Sequence, residues 1–115
     1  MARKESPETK LVKALIAYLR KLGHHAWRNN TGQHQMHGRW VSFGVKGGGD
    51  IFAVVKPHGR FLSVEAKVGR NKATDNQEDW MEKVRAGGGV AGVVRSIADL
   101  DELVHEAEHE TASIF

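Results

Sequence analysis

Apolar positions near the start of the chain recur at helical spacing. Leu11, Leu15, Tyr18 and Leu22, joined by Val12, Ile16 and Leu19, form one broad stripe, with Lys13, Arg20 and Lys21 between them. Ser6 as N-cap, Pro7 at the first helical position and Glu8 at the positive dipole end predict where this helix begins. Gly23 predicts where it closes. The period then changes. Residues 24–29 suit a short strand, and residues 50–55 and 61–68 are runs of β-branched and aromatic side chains that fit a pleated, half-buried surface. Between the two longer runs, Pro57 and Gly59 supply turn chemistry. In the second run Leu62, Val64, Ala66 and Val68 share one face, and Ser63, Glu65 and Lys67 share the other.

Residues 30–39 read as a loop, Trp40-Val41-Ser42-Phe43 as a brief strand or an anchor, and Gly47-Gly48-Gly49 as backbone able to approach a ligand closely. So long a stretch with little regular structure is functional or disordered. After a basic loop at 69–73, Thr74 and Gln77 match a capping box, opening a helix with Trp80, Met81 and Val84 on one face. Residues 90–94 suit a short buried strand. Ser96 and Asp99 suggest a second capping box, before a last helix with Ile97, Leu100, Leu103, Val104 and Ala107 on its apolar face. The expected fold class is α/β: an α-β-β-β-α-β core with a small mixed central sheet flanked by helices, plus a C-terminal helix. At 115 residues, with no internal repeat or linker, the whole chain 1–115 is expected to form one domain.

Composition narrows the chemistry. The chain has no cysteine, which excludes disulfides, zinc-thiolate sites and thiol catalysis. No apolar run approaches the roughly 20 residues of a membrane span, and the N-terminus lacks a signal-peptide pattern. A cytoplasmic protein with no membrane partner is expected. Charge is unevenly spread: residues 1–72 hold 14 of the 17 Lys and Arg but only 4 of the 14 Asp and Glu. A basic part suits a polyanion, and an acidic remainder limits non-specific adhesion; uneven but ordinary solvated surface is the plainer account.

The four acids of the basic part are Glu5, Glu8, Asp50 and Glu65. If the hairpin pairs Val55 with Arg60, Asp50 falls opposite Glu65, with Cβ atoms roughly 5 Å apart. Two facing carboxylates repel unless a cation sits between them, which is how a magnesium site is built. A one-residue slip would put Asp50 on the other face and dismantle the pair. Each residue also has a plainer role: Asp50 as a strand start, Glu65 and Lys67 as a solvated face, Glu8 as a partner of the helix dipole and Gln77 as a cap. His34 and His37 with His24 or His25 could bind zinc or copper, but their spacing fits no standard motif.

Glu8 on the first helix, Gly49-Asp50 at a strand start, Glu65-Ala66-Lys67 on the next strand, Gln77 with Trp80 on the following helix, and Val93-Val94-Arg95 together resemble the PD-(D/E)XK nuclease superfamily. Within it the chain looks most like the VRR-NUC group of small phage and bacterial nucleases, over roughly residues 6–96. Gly49 departs from the usual Pro before the first acid. The resemblance implies an endonuclease that hydrolyses DNA phosphodiester bonds with Mg2+ or Mn2+. It implies catalytic roles for Asp50, Glu65, Lys67 and Gln77, with metal held by Asp50, Glu65, the Ala66 carbonyl and Glu8. Lys67 would orient or deprotonate the attacking water, or stabilise transition-state charge. Lys46, Arg39, His37, Arg70 and Lys72 are candidate DNA contacts. So small a domain has little surface for base readout, which favours branched DNA or low sequence specificity. A homodimer would suit paired incisions. The alternatives are a catalytically inactive DNA-binding module that keeps this fold, and a protein adaptor using the acidic last helix.

Overall fold

A computed structural model describes residues 4–111; the chain start, where no signal peptide is expected, falls partly outside it at residues 1–3, as do residues 112–115. Helix α1 (Pro7–Lys21) begins as its sequence directs, with the Ser6 side chain accepting from the Thr9 N–H at 3.1 Å. It buries Val12, Leu15, Ile16 and Leu19, while Leu22 falls at the C-cap and stays exposed. Gly23 follows in the left-handed region with φ 91°.

The main sheet has four strands in the order β1 (His25–Arg28), β4 (Ile51–Val55), β5 (Arg60–Ala66), β6 (Val90–Val94). β4 runs antiparallel to both its neighbours and β6 runs parallel to β5, so the fold is α/β with a mixed sheet. Helices α1 and α3 (Ile97–Ala107) cover one face, where Ile51, Ala53, Val55, Leu62, Val64 and Ala66 are fully buried. Tyr18 ties these helices by donating to the Asp101 carboxylate at 2.6 Å. Helix α2 (Asp75–Ala86) lies on the other face over a smaller cluster of Met81, Val84 and Ala91. Parallel β5 and β6 need a crossover, and α2 is that crossover. Among the described residues no helix is long and apolar enough to cross a membrane.

Two elements differ from the sequence expectation. Residues 30–39 are not simply loop: they contain strand β2 (Gly32–Met36), which pairs from Gly32↔Phe43 to Met36↔Arg39 with β3 (Arg39–Phe43), the brief strand expected at residues 40–43. His37 (φ 50°) and Gly38 (φ 76°) form the two-residue turn of this hairpin, the geometry that matches strand twist. Its sequence lacks a clean apolar-polar alternation because neither face is buried, so the usual strand signal is missing. The second capping box forms only half. Ser96 accepts from the Asp99 N–H at 3.2 Å, but the Asp99 carboxylate takes the Arg95 N–H instead of reaching back to Ser96.

Candidate active site

The β4–β5 hairpin pairs Val55 with Arg60 and continues in step to Ile51↔Val64, so Asp50 and Glu65 meet at its far end. Asp50 departs from the regular ladder. Its N–H donates to the Val64 carbonyl on β5 at 2.8 Å, while its own carbonyl accepts from the Asn29 N–H beyond β1, also at 2.8 Å. In a regular strand both groups of one residue point the same way. The chain therefore turns at Asp50, and its carboxylate bends forward to accept the Ala66 N–H at 2.8 Å.

Glu65 lies on the α2 side of β5 and is 4% exposed. Its Oε1 accepts from the Gln77 side-chain amide at 2.9 Å and lies 3.8 Å from the Lys67 ammonium. Burial pushes the Glu65 carboxyl up to about 8; the charge of Asp50 and a proton shared with it push the same way, Lys67 opposes them, and Glu8 adds a little. Gln77 serves two roles at once. Its Oε1 accepts from the Thr74 N–H at 2.8 Å, completing the α2 capping box, while its amide nitrogen reaches Glu65. The cap thus fixes the amide that holds the acid.

The oxygen donors suit a hard divalent cation: two carboxylates and the Ala66 carbonyl, which strand geometry turns to the same side as the Ala66 N–H. Among the described residues no three acidic or histidine side chains converge on one point. Glu8, half-buried in the first turn of α1, is felt by Glu65 only through its charge. The group fits an ion that keeps several waters, as magnesium does.

Three features were not foreseen in the sequence. Asn29 clamps the segment leading into Asp50: its Nδ2 donates to the Val45 and Gly49 carbonyls at 2.8 and 2.9 Å, and its Oδ1 accepts from the Val45 N–H at 2.9 Å. Ser63, buried beside Glu65, accepts from the Trp80 indole N–H at 2.8 Å, pinning α2 over the site. Trp80 also packs on Phe52, with ring centroids 5.7 Å apart, so it belongs to the α2 cluster. The glycines divide in role. Gly49 is buried, and a Cβ there would strike the Ser63 hydroxyl, which explains glycine at this position. Gly48 is likewise crowded by Val45 and Phe52, so only Gly47 in this run has open space around it.

The basic candidates form no single cluster. Arg70 and Lys72 are exposed on the loop between β5 and α2, which Arg95 braces through the Gly69 and Asn71 carbonyls at 3.1 and 2.6 Å. His37 and Arg39 lie at the tip of the β2–β3 hairpin. Lys46 lines a groove of about 350 Å³ with Gly47, Asn76, Asp79, Trp80 and Lys83. Nor are the histidines gathered as a metal site: His24 is buried with Nδ1 accepting the Lys56 N–H at 3.1 Å, and His34 and His37 are exposed on the hairpin. No protein-family model matches this sequence, and no curated protein matches it significantly.

Proposed function

We propose that this chain is a divalent-metal-dependent DNA endonuclease, acting on branched DNA or with low sequence specificity. The observation that carries the reading is the buried Glu65 carboxyl, held by Gln77, crowded by Asp50 and lying 3.8 Å from Lys67. A carboxylate with so little water and a like charge beside it is costly unless a cation joins it.

Asp50, Glu65 and the Ala66 carbonyl would hold Mg2+ or Mn2+, with Glu8 reaching it through water. Such an ion, when bound, would supply charge stabilisation and a more acidic water. Asp50 is fixed by the Ala66 N–H and Glu65 by the Gln77 amide, so neither carboxylate must reorganise as substrate arrives. Lys67 brings positive charge to the same side, where the attacking water and the phosphate oxygens would meet. Arg70 and Lys72, on the loop that follows Lys67, and Lys46, on the segment leading to Asp50, suit the DNA backbone. A cytoplasmic location in a bacterial or phage-infected cell and a homodimeric state accompany this reading.

The test is cleavage of labelled duplex, single-stranded, flap and four-way-junction DNA with magnesium, manganese or chelator. Cutting that needs the metal and disappears in Asp50→Ala is the expected outcome. Cutting in excess chelator would overturn the mechanism, and tight binding without cutting of any substrate would favour the inactive DNA-binding module.

A further inference from the structure

The β2–β3 hairpin is an arm. All ten of its strand residues are exposed, and among the described residues it makes no extensive contact with any other helix or strand. It contributes to a molecule 52 Å long but only 32 and 28 Å across. The radius of gyration is 15.3 Å, against about 13 Å for a compact domain of this size. A projecting two-stranded ribbon exposing Trp40, Met36, Val41 and Phe43 is expensive in water unless something covers it.

The chemistry of the arm selects the occupant. No acidic residue occurs between Glu8 and Asp50, so the arm and both its roots carry only neutral or basic side chains. Cross-strand partners share a face, which puts Gln33, Gln35, Trp40 and Ser42 on one side and His34, Met36, Arg39, Val41 and Phe43 on the other. The first side carries amides and a hydroxyl that pair with base edges, around an indole 68% exposed that can stack on a base. A two-stranded ribbon also has the width that the DNA major groove admits. A second copy of this chain would instead have to bury that amide-rich face, and it brings no acid from its own arm to meet Arg39 and the histidines.

The arm is also rooted in the proposed active site. Asn29, at the end of β1, clamps Val45 and Gly49 just after the arm, and Asp50 follows directly. We infer that the β2–β3 hairpin is a DNA-binding arm that lays its Gln33–Gln35–Trp40–Ser42 face on the bases and its Arg39 on phosphate, positioning the strand next to Asp50. The inference rests on the nuclease reading for its choice of DNA, but its test does not need cleavage.

The test measures binding of a labelled 30-base-pair duplex and a four-way junction by fluorescence anisotropy, in chelator and over a range of salt. The parent is compared with Trp40→Ala and Arg39→Ala, whose exposed side chains can be removed without disturbing the core. Trp40→Ala is expected to weaken binding about tenfold, the effect of losing one base stack. Arg39→Ala should lower the logarithmic salt slope by about one. Affinity within about twofold of the parent for both variants overturns the arm, and so does loss of a parental dimer without loss of DNA affinity. A parent that binds through Trp40 but never cuts contradicts the nuclease reading and leaves the arm standing. A parent that binds no DNA overturns both.

Discussion

At the residue scale, the account turns on how one buried acid is kept in place. Glu65 has a folded-state pKa of about 8, above its ordinary 4.5, so the folded chain holds this proton more tightly than the unfolded chain does. That contribution to stability is complete below about pH 4.5 and is lost as pH rises through about 8. Thermal unfolding of the metal-free protein followed from pH 5 to 8.5 should therefore show a falling midpoint, and Glu65→Gln should flatten much of the slope. An unchanged slope in that variant would assign the pH dependence to other groups. Asn29 makes a second case. Its side chain spends three hydrogen bonds on the segment before Asp50, so Asn29→Ala should cost about 1–3 kcal/mol in denaturant unfolding and lower cleavage by misplacing Asp50. Asp50, Glu65 and Lys67 were legible because acids are scarce in the basic part and because Glu65 and Lys67 stand two residues apart at the end of an apolar run. Asn29 was not, since nothing in an isolated asparagine announces carbonyls sixteen and twenty residues away.

At the element scale, local signals worked where local physics decides. Ser6-Pro7 and the Thr74–Gln77 box are short-range hydrogen-bond patterns, and both form at the ends they mark. The hairpin register from Val55↔Arg60 likewise follows from turn length and runs to Ile51↔Val64, beyond which Asp50 bends out of the ladder beside Glu65. Strand β2 and its pairing with β3 escaped, though residues 40–43 hinted at a strand, because strand signals depend on a buried face and this ribbon has none. Asp99 escaped differently: a carboxylate expected to cap its own helix instead meets the Arg95 N–H. The α2 cap also carries a prediction. Because Gln77 bridges Thr74 and Glu65, Thr74→Ala should cost about 1 kcal/mol of stability and should also reduce cleavage. A stability loss with a parental cleavage rate would show that the cap does not support the acid. Gly49→Ala should destabilise by about 1–3 kcal/mol, since the new Cβ meets the Ser63 hydroxyl and the β5 backbone.

At the scale of the whole molecule, the sheet brings distant parts of the sequence to one end. Asp50 from the bend before β4, Glu65 from β5, Lys67 just after it and Gln77 from α2 are gathered where β4 begins and β5 ends, with Glu8 of the first helix felt there through its charge. The acidic C-terminal helix lies against the opposite face of the sheet, away from α2. This placement gives the adaptor reading no part in the site. The most direct measurement is the single-turnover cleavage rate of labelled four-way-junction and duplex DNA in Mg2+ and Mn2+, for the parent beside Asp50→Ala and Lys67→Ala. The account predicts metal-dependent cutting by the parent and a rate at least about a hundredfold lower in each variant, the scale of losing a charge-stabilising group. Cutting by both variants at the parental rate would contradict it.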